Sequence, residues 1–198
     1  MQDNSKVYKH KTYTVKGWFN DQKKNWYIEK CKKIKDGIIV EIGVYGGASI
    51  LSIADFCAQT NTKIYGIDPW ELLNLYNERP MSDHELKTYR EVMQGHRENL
   101  EAIISAENYE HIQLIKGFSV EISKKFEDGS IDWVYIDANH SYDETIADIK
   151  AWYPKVKPGG ILSGDDYTWP GVKKAVADFC KEHNLKYKNT TDSWEVQL

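Results

Sequence analysis

The sequence predicts an α/β fold built on a largely parallel β-sheet. Two observations carry that expectation. Short β-branched runs alternate with longer stretches of helical period. Glycines and acids also gather at the ends of those runs, where parallel sheets bind ligands. A chain of 198 residues has room for one core, so residues 1–36 are expected to form an arm and helix packed on a single domain spanning 37–198.

Taken in order, residues 16–35, with Trp18, Trp26, Tyr27, Cys31 and Ile34, read as a helix ahead of the first strand. GIIVEIGV (37–44) is that strand, followed by the small-residue turn YGGAS and a helix to about Gln59. KIYGID (63–68) is the second strand. A polar and aromatic stretch then leads to a helix from about His84 to Ser105, with Ser82 or Asp83 as its cap. HIQLIKG (111–117) and IDWVYID (131–137) are the third and fourth strands, each followed by a helix, from Val120 and from Ser141 to Tyr153. PKVKPGG reads as a turn into a fifth strand, 161–167, and a helix over 171–183. LKYKNTT and SWEVQL close the chain as an antiparallel pair.

Composition narrows the function. At 41% hydrophobic the chain is too apolar for disorder. No apolar run approaches the roughly 18 residues of a membrane span, and the polar N-terminus lacks a signal-peptide pattern. A soluble protein is expected. Cys31, Cys57 and Cys180 are widely spaced, which fits a reducing, cytoplasmic compartment rather than a disulfide or zinc framework. A net charge of -4 gives no general reason to bind nucleic acid. The charge is uneven, however. Residues 1–37 hold 10 Lys against 4 acids, and the rest holds 16 basic against 26 acidic residues. The basic arm reads most simply as a solvated helix face.

Four of the five strand ends carry acid: Glu41-Ile-Gly43, Asp68-Pro-Trp70, Asp137-Ala-Asn-His140 and Gly164-Asp-Asp-Tyr167. Carboxylates crowded together repel one another unless a cation or polar ligand holds them. The first turn, with Gly43, Tyr45, Gly47 and Ser49, lets backbone approach a ligand. It departs from the dinucleotide fingerprint, and Glu41 would oppose phosphate but suit an ammonium. Asp68 is placed to accept two ribose hydroxyls. Trp70 is placed to cover a flat ring. Gly117, Phe118 and Ser119 are placed to meet an adenine. An adenosine with a cationic tail and no pyrophosphate describes S-adenosylmethionine.

On VEIGVYGGAS (40–49), YGIDPW (65–70), YIDANHSYDETIADIKAWYPKVKPGGILSGDDY (135–167) and the final SWEV, the chain resembles class I S-adenosylmethionine-dependent methyltransferases. More narrowly, it resembles methyltransferase family 24, and it is similar, more distantly, to metal-dependent sugar O-methyltransferases and to catechol O-methyltransferase. The resemblance implies a Rossmann-like, seven-stranded, mostly parallel sheet with helices on both faces and an antiparallel last strand. It implies that Glu41 and the Gly43–Gly47 turn hold the methionine part of the cofactor, Asp68 the ribose and Ser119 the adenine. It also implies that Asp137, Asp165 and Asp166 ligate a divalent cation. Where many relatives carry a further Asp as proposed base, this chain has Asn139, which leaves His140 as the candidate base and Asn139 as an orienting group.

The chemistry fits that assignment. Transfer from a sulfonium needs an oxygen nucleophile in line and a route for its proton. Carboxylates suit Mg²⁺ or another divalent cation, which lowers a hydroxyl's pKa. The expected acceptor is a hydroxyl of a sugar or glycoconjugate, under a 69–90 lid containing Trp70, Tyr76, Arg79, Met81, His84 and Tyr89, with Trp169 as a further wall. A second subunit of a homo-oligomer could complete that site. The alternatives are a catechol or phenol acceptor, disfavoured by the lack of a lysine beside Asp137, a catalytically silent cofactor-binding protein, and an NAD-linked oxidoreductase.

Overall fold

The computed structural model describes residues 5–71, 82–190 and 192–198. Two strands, β1 (Lys6–His10) and β2 (Tyr13–Gly17), form an antiparallel hairpin. Helix α1 (Asp21–Cys31) follows. The core then alternates β3 (Ile38–Ile42), α2 (Ala48–Gln59), β4 (Lys63–Asp68), α3 (Asp83–Ala106), β5 (Ile112–Lys116), α4 (Ser119–Ser123), β6 (Ile131–Ile136), α5 (Tyr142–Trp152), β7 (Val156–Gly164) and α6 (Pro170–Glu182). Strands β8 (Tyr187–Asn189) and β9 (Trp194–Gln197) end the chain.

The main sheet has seven strands in the order β5-β4-β3-β6-β7-β9-β8. β3, β4, β5, β6 and β7 are parallel, and β9 runs antiparallel to both β7 and β8. The chain winds outward from β3 to β5, then returns to the other side of β3 through β6. The carboxyl ends of β3 and β6 are therefore the switch point, where a doubly wound sheet opens a ligand crevice.

Strand alternation sorts the two cores. Ile39 packs with α1, α2 and α3 residues such as Tyr27, Ile53 and Leu100, together with Trp133 and Tyr135 of β6. Val40 and Ile42 turn to the opposite face, among Ile149 and Trp152 of α5 and Val176 and Phe179 of α6. Glu41 shares the period of Ile39, so its carboxylate lies on the α1–α2 side. The helices start where their caps place them. Ser82 and Glu85 form a reciprocal capping box at α3, and Ser141 caps α5.

Three boundaries differ from the sequence expectation. The helix expected over 16–35 begins at Asp21 and ends at Cys31, because Asn20 caps it and Gly17 is paired with Lys6. The arm ahead of it is a hairpin. Its two-residue turn puts Lys11 at φ 52, a conformation usually marked by Asn or Gly, and that sequence signal is missing. The turn expected at PKVKPGG lies inside β7. It is absorbed where the β6–β7 register jumps from Ile131↔Val156 to Trp133↔Ile161. The strand then stops at Gly164, short of the expected 167. Asp166, at φ 56, cannot continue an extended chain. Among the described residues no helix is long and apolar enough to cross a membrane, and all three cysteines are free thiols.

Candidate active site at the switch point

Gly43 makes the site compact. Its φ is 87, and a Cβ there would lie 1.7 Å from the Asp137 carbonyl oxygen. Only glycine lets the turn after β3 pass so close to the end of β6. Gly47 (φ 80) is the N-cap of α2, with its hydrogen face against Leu100 of α3.

Glu41 is 2% exposed. Its carboxylate accepts hydrogen bonds from the Tyr27 hydroxyl at 3.0 Å and from the Ser49 hydroxyl. Burial pushes its pKa up to about 7 against those two donors. A buried acid in that state gains from a cationic ligand. Asp68 ends β4 and accepts from the Tyr45 N–H at 2.9 Å and the Trp70 N–H at 2.6 Å. Burial raises its pKa and these backbone donors oppose the rise. Both donors belong to left-handed residues, Tyr45 at φ 51 and Trp70 at φ 44, so two turns are folded around one carboxylate.

Trp70 departs from the expected open wall. It is 1% exposed, donates its indole N–H to the Tyr45 carbonyl at 2.9 Å, and has Arg97 over its ring. It holds the turn rather than facing solvent. Phe118 is exposed beside Gly117. The Ser119 hydroxyl accepts from the Trp152 indole at 2.7 Å and also bonds Asp148, a buried acid pushed up to about 6 by burial. Of the expected lid, Tyr76, Arg79 and Met81 lie outside the described residues. His84 and Tyr89 fall on α3, and Trp169 is exposed.

The acids behave unequally. Asp137, Asp166 and His140 bring one ligand atom each to within 4.8 Å of one another. His140 Nε2 lies 2.5 Å from Asp166 Oδ2, and its ring stacks against Trp169 at 4.8 Å. A small cavity of about 10 Å³ is lined here by Asp137, Asn139, His140, Asp165 and Asp166. Asn139 is 9% exposed. Its Oδ1 accepts from the Ser141 N–H at 2.8 Å, while its buried Nδ2 has no hydrogen-bond partner among the described residues. Burial first, then the charges of Asp165 and Asp166, push Asp137 well above the carboxylate range. Such a set fits a divalent cation with an oxygen-bearing ligand, because a cation relieves the repulsion and an oxygen gives Nδ2 an acceptor.

Asp165 turns the other way. It pairs with the Lys23 ammonium, which also lies 3.2 Å from Asp192, and it accepts weakly from Ser193 at 3.5 Å. Burial alone would lower the Lys23 pKa, but Asp165 outweighs burial and holds it above the ordinary lysine range. Lys23, Tyr27 and Asp192 are site neighbours that the sequence expectation missed. Lys23 and Tyr27 are one helical turn apart on α1, one reaching the acids and the other Glu41. The signal was that spacing, hidden within a lysine-rich arm. The lysine whose absence weighed against a catechol acceptor is thus present, but as a fixed cation rather than a free base.

A doubly wound sheet in this order, with its glycine turn and acids at the switch point, defines a class I S-adenosylmethionine-dependent methyltransferase. A family model described as a methyltransferase domain, Methyltransf_24, matches residues 40–167, and the chain belongs to that family. Similar solved structures show the same fold. The O-methyltransferase NovP aligns over 89% of this chain and 79% of its own, with TM-score 0.65 and 16% identity. CalS11, a TDP-rhamnose 3'-O-methyltransferase in calicheamicin biosynthesis, aligns over 91% and 81%, with TM-score 0.56 and 15% identity. SMU.1697c from Streptococcus mutans, solved in complex with SAH, aligns over 87% and 96%, with TM-score 0.61 and 14% identity. No curated protein matches the sequence. The chain is an S-adenosylmethionine-dependent methyltransferase.

Proposed function

We propose that this methyltransferase acts on a hydroxyl of a sugar or glycoconjugate with the help of a divalent cation, Mg²⁺ or another. The observation that carries this reading is the convergence of Asp137, Asp166 and His140 on a cavity beside the Gly43 turn, which is also lined by Asn139, whose buried Nδ2 has no partner among the described residues. S-adenosylmethionine supplies an activated methyl group, and a divalent cation lowers the pKa of a hydroxyl it holds.

The remaining work belongs to the chain. Glu41 faces the cofactor's ammonium, and Tyr27 and Ser49 fix its orientation. Asp68 offers ribose hydroxyls the lone pairs that the Tyr45 and Trp70 N–H groups leave. Phe118 and Ser119 flank the place for adenine. Asn139 Nδ2 donates to the acceptor's oxygen, and the His140–Asp166 unit provides the exit for its proton. Trp169, 49% exposed over His140, gives a sugar ring an apolar platform. The similarity to CalS11, a TDP-rhamnose 3'-O-methyltransferase, supports the same acceptor class.

The test is a methyl-transfer assay on a panel of sugars, nucleotide sugars, catechols and a structured RNA. Methylation of a sugar hydroxyl supports the proposal. Methylation confined to catechols or RNA replaces it.

A further inference from the structure

Two overlapping groups of side chains compete to be the cation site, and they share Asp166. One is Asp165, Asp166 and Asp192; the other is Asp137, His140 and Asp166. The all-carboxylate group already has a cation. The Lys23 ammonium pairs with Asp165 and sits 3.2 Å from Asp192, on a side chain only 12% exposed. A metal ion entering there would have to displace a largely buried ammonium and leave it uncompensated. In the second group no lysine or arginine pairs directly with a carboxylate among the described residues, although the Lys23 charge also reaches Asp137. The second group also lines the 10 Å³ cavity, which holds about one water-sized occupant. Asn139 contributes an independent observation. Its Nδ2 is a buried donor with no acceptor among the described residues, on a side chain that lines the same cavity. A water or hydroxyl oxygen carried on an ion would satisfy it.

We infer that Asp137, Asp166 and the His140 imidazole are the ligand set, while Asp165 stays with Lys23, and that the ion is a first-row transition metal rather than Mg²⁺, with Mn²⁺ serving as the spectroscopic probe. This rests on the metal-assisted reading of the site. Imidazole nitrogen suits first-row transition metals, whereas Mg²⁺ prefers an all-oxygen shell. The inference replaces His140 as proton acceptor with His140 as ligand, so the acidified hydroxyl's proton would pass to solvent water at the half-exposed Trp169 rim instead. It also explains why the Asp165-Asp166 pair is split, since one carboxylate serves the ion and its neighbour anchors α1.

The test uses the full chain, stripped with a chelator and titrated with Mn²⁺. Spin-echo modulation on the bound Mn²⁺ is compared between unlabelled protein and protein labelled with ¹⁵N-histidine. Directly coordinated histidine nitrogen is expected, and the labelling should change its modulation. His140→Ala should weaken Mn²⁺ binding about tenfold or more, and Asp165→Asn by less than about threefold. Mg²⁺ should compete only at a large excess over Mn²⁺. Tight Mn²⁺ binding without histidine coupling, or with the loss confined to Asp165→Asn, overturns the ligand set and leaves a metal-assisted enzyme. Failure of the unaltered chain to bind Mn²⁺, Co²⁺ or Mg²⁺ overturns both readings. The spectroscopic arm needs no variant, so a poorly folding mutant cannot decide the outcome.

Discussion

Glu41 is the residue whose energetics are easiest to measure. Its folded pKa of about 7 lies above the ordinary 4.5. Between those values the folded protein holds a proton that the unfolded chain has released. Stability should therefore fall as pH rises from about 4.5 to 7, by about 3 kcal/mol from this group, and level off above. Denaturant melts across that range should show the slope, and Glu41→Gln should flatten it. On the role proposed for Glu41, in which its ionised carboxylate holds the cofactor's ammonium, binding of S-adenosylhomocysteine should tighten over the same interval in the unaltered protein. His140→Ala should lower turnover far more than cofactor affinity, because the imidazole faces Asp166 rather than the cofactor turn. Steady-state assays beside calorimetry separate the two, and unchanged turnover would remove His140 from the reaction. Gly43→Ala should abolish cofactor binding or folding, because its Cβ would meet the Asp137 carbonyl at 1.7 Å. Native-like binding by that variant would show that the two strand ends need not touch.

Among the elements, α1 links the two halves of the site. It places Tyr27 on Glu41 and Lys23 on Asp165, so the proposed cofactor end and the acid end share one helix. Its outer turns are held by the Lys30–Glu195 pair to β9 and by contact between Cys31 and Cys57 of α2. Removing Lys23 leaves the Asp165 carboxylate, 5% exposed, without its main partner. Lys23→Met should therefore cost about 3 kcal/mol of stability at neutral pH. Thermal or denaturant unfolding would detect this, and a loss below about 1 kcal/mol would mean that the pair is as weak as a surface one.

At the scale of the whole molecule, the succession of strands and helices along the chain was legible because it rests on local pattern, whereas the order of the strands in the sheet was not predicted. β4 falls at the expected 63–68, and Ser82 caps α3 as its side chain predicts. The acids at strand ends were legible for the same reason, since a parallel sheet delivers its strand ends to one edge. What the sequence could not convey was which way each side chain points once strands are neighbours. Asp165 and Asp166 are adjacent in sequence, yet one pairs with α1 and the other with His140. Trp70 read as a wall because its position was right, but its indole turned inward to hold the Tyr45 turn. Lys23 was indistinguishable from the other lysines of the arm until α1 was docked on the sheet. The hairpin ahead of it was hidden by a turn that uses lysine where glycine is customary.

The most direct measurement is transfer of a labelled methyl group from S-adenosylmethionine to sugar hydroxyls by the full chain, before and after chelation and again after a divalent cation is restored. Incorporation that is lost on chelation and recovered on restoring the cation is the expected result. Incorporation unchanged by chelation would contradict the metal-assisted mechanism, and incorporation into no sugar but into another acceptor class would contradict the proposed function.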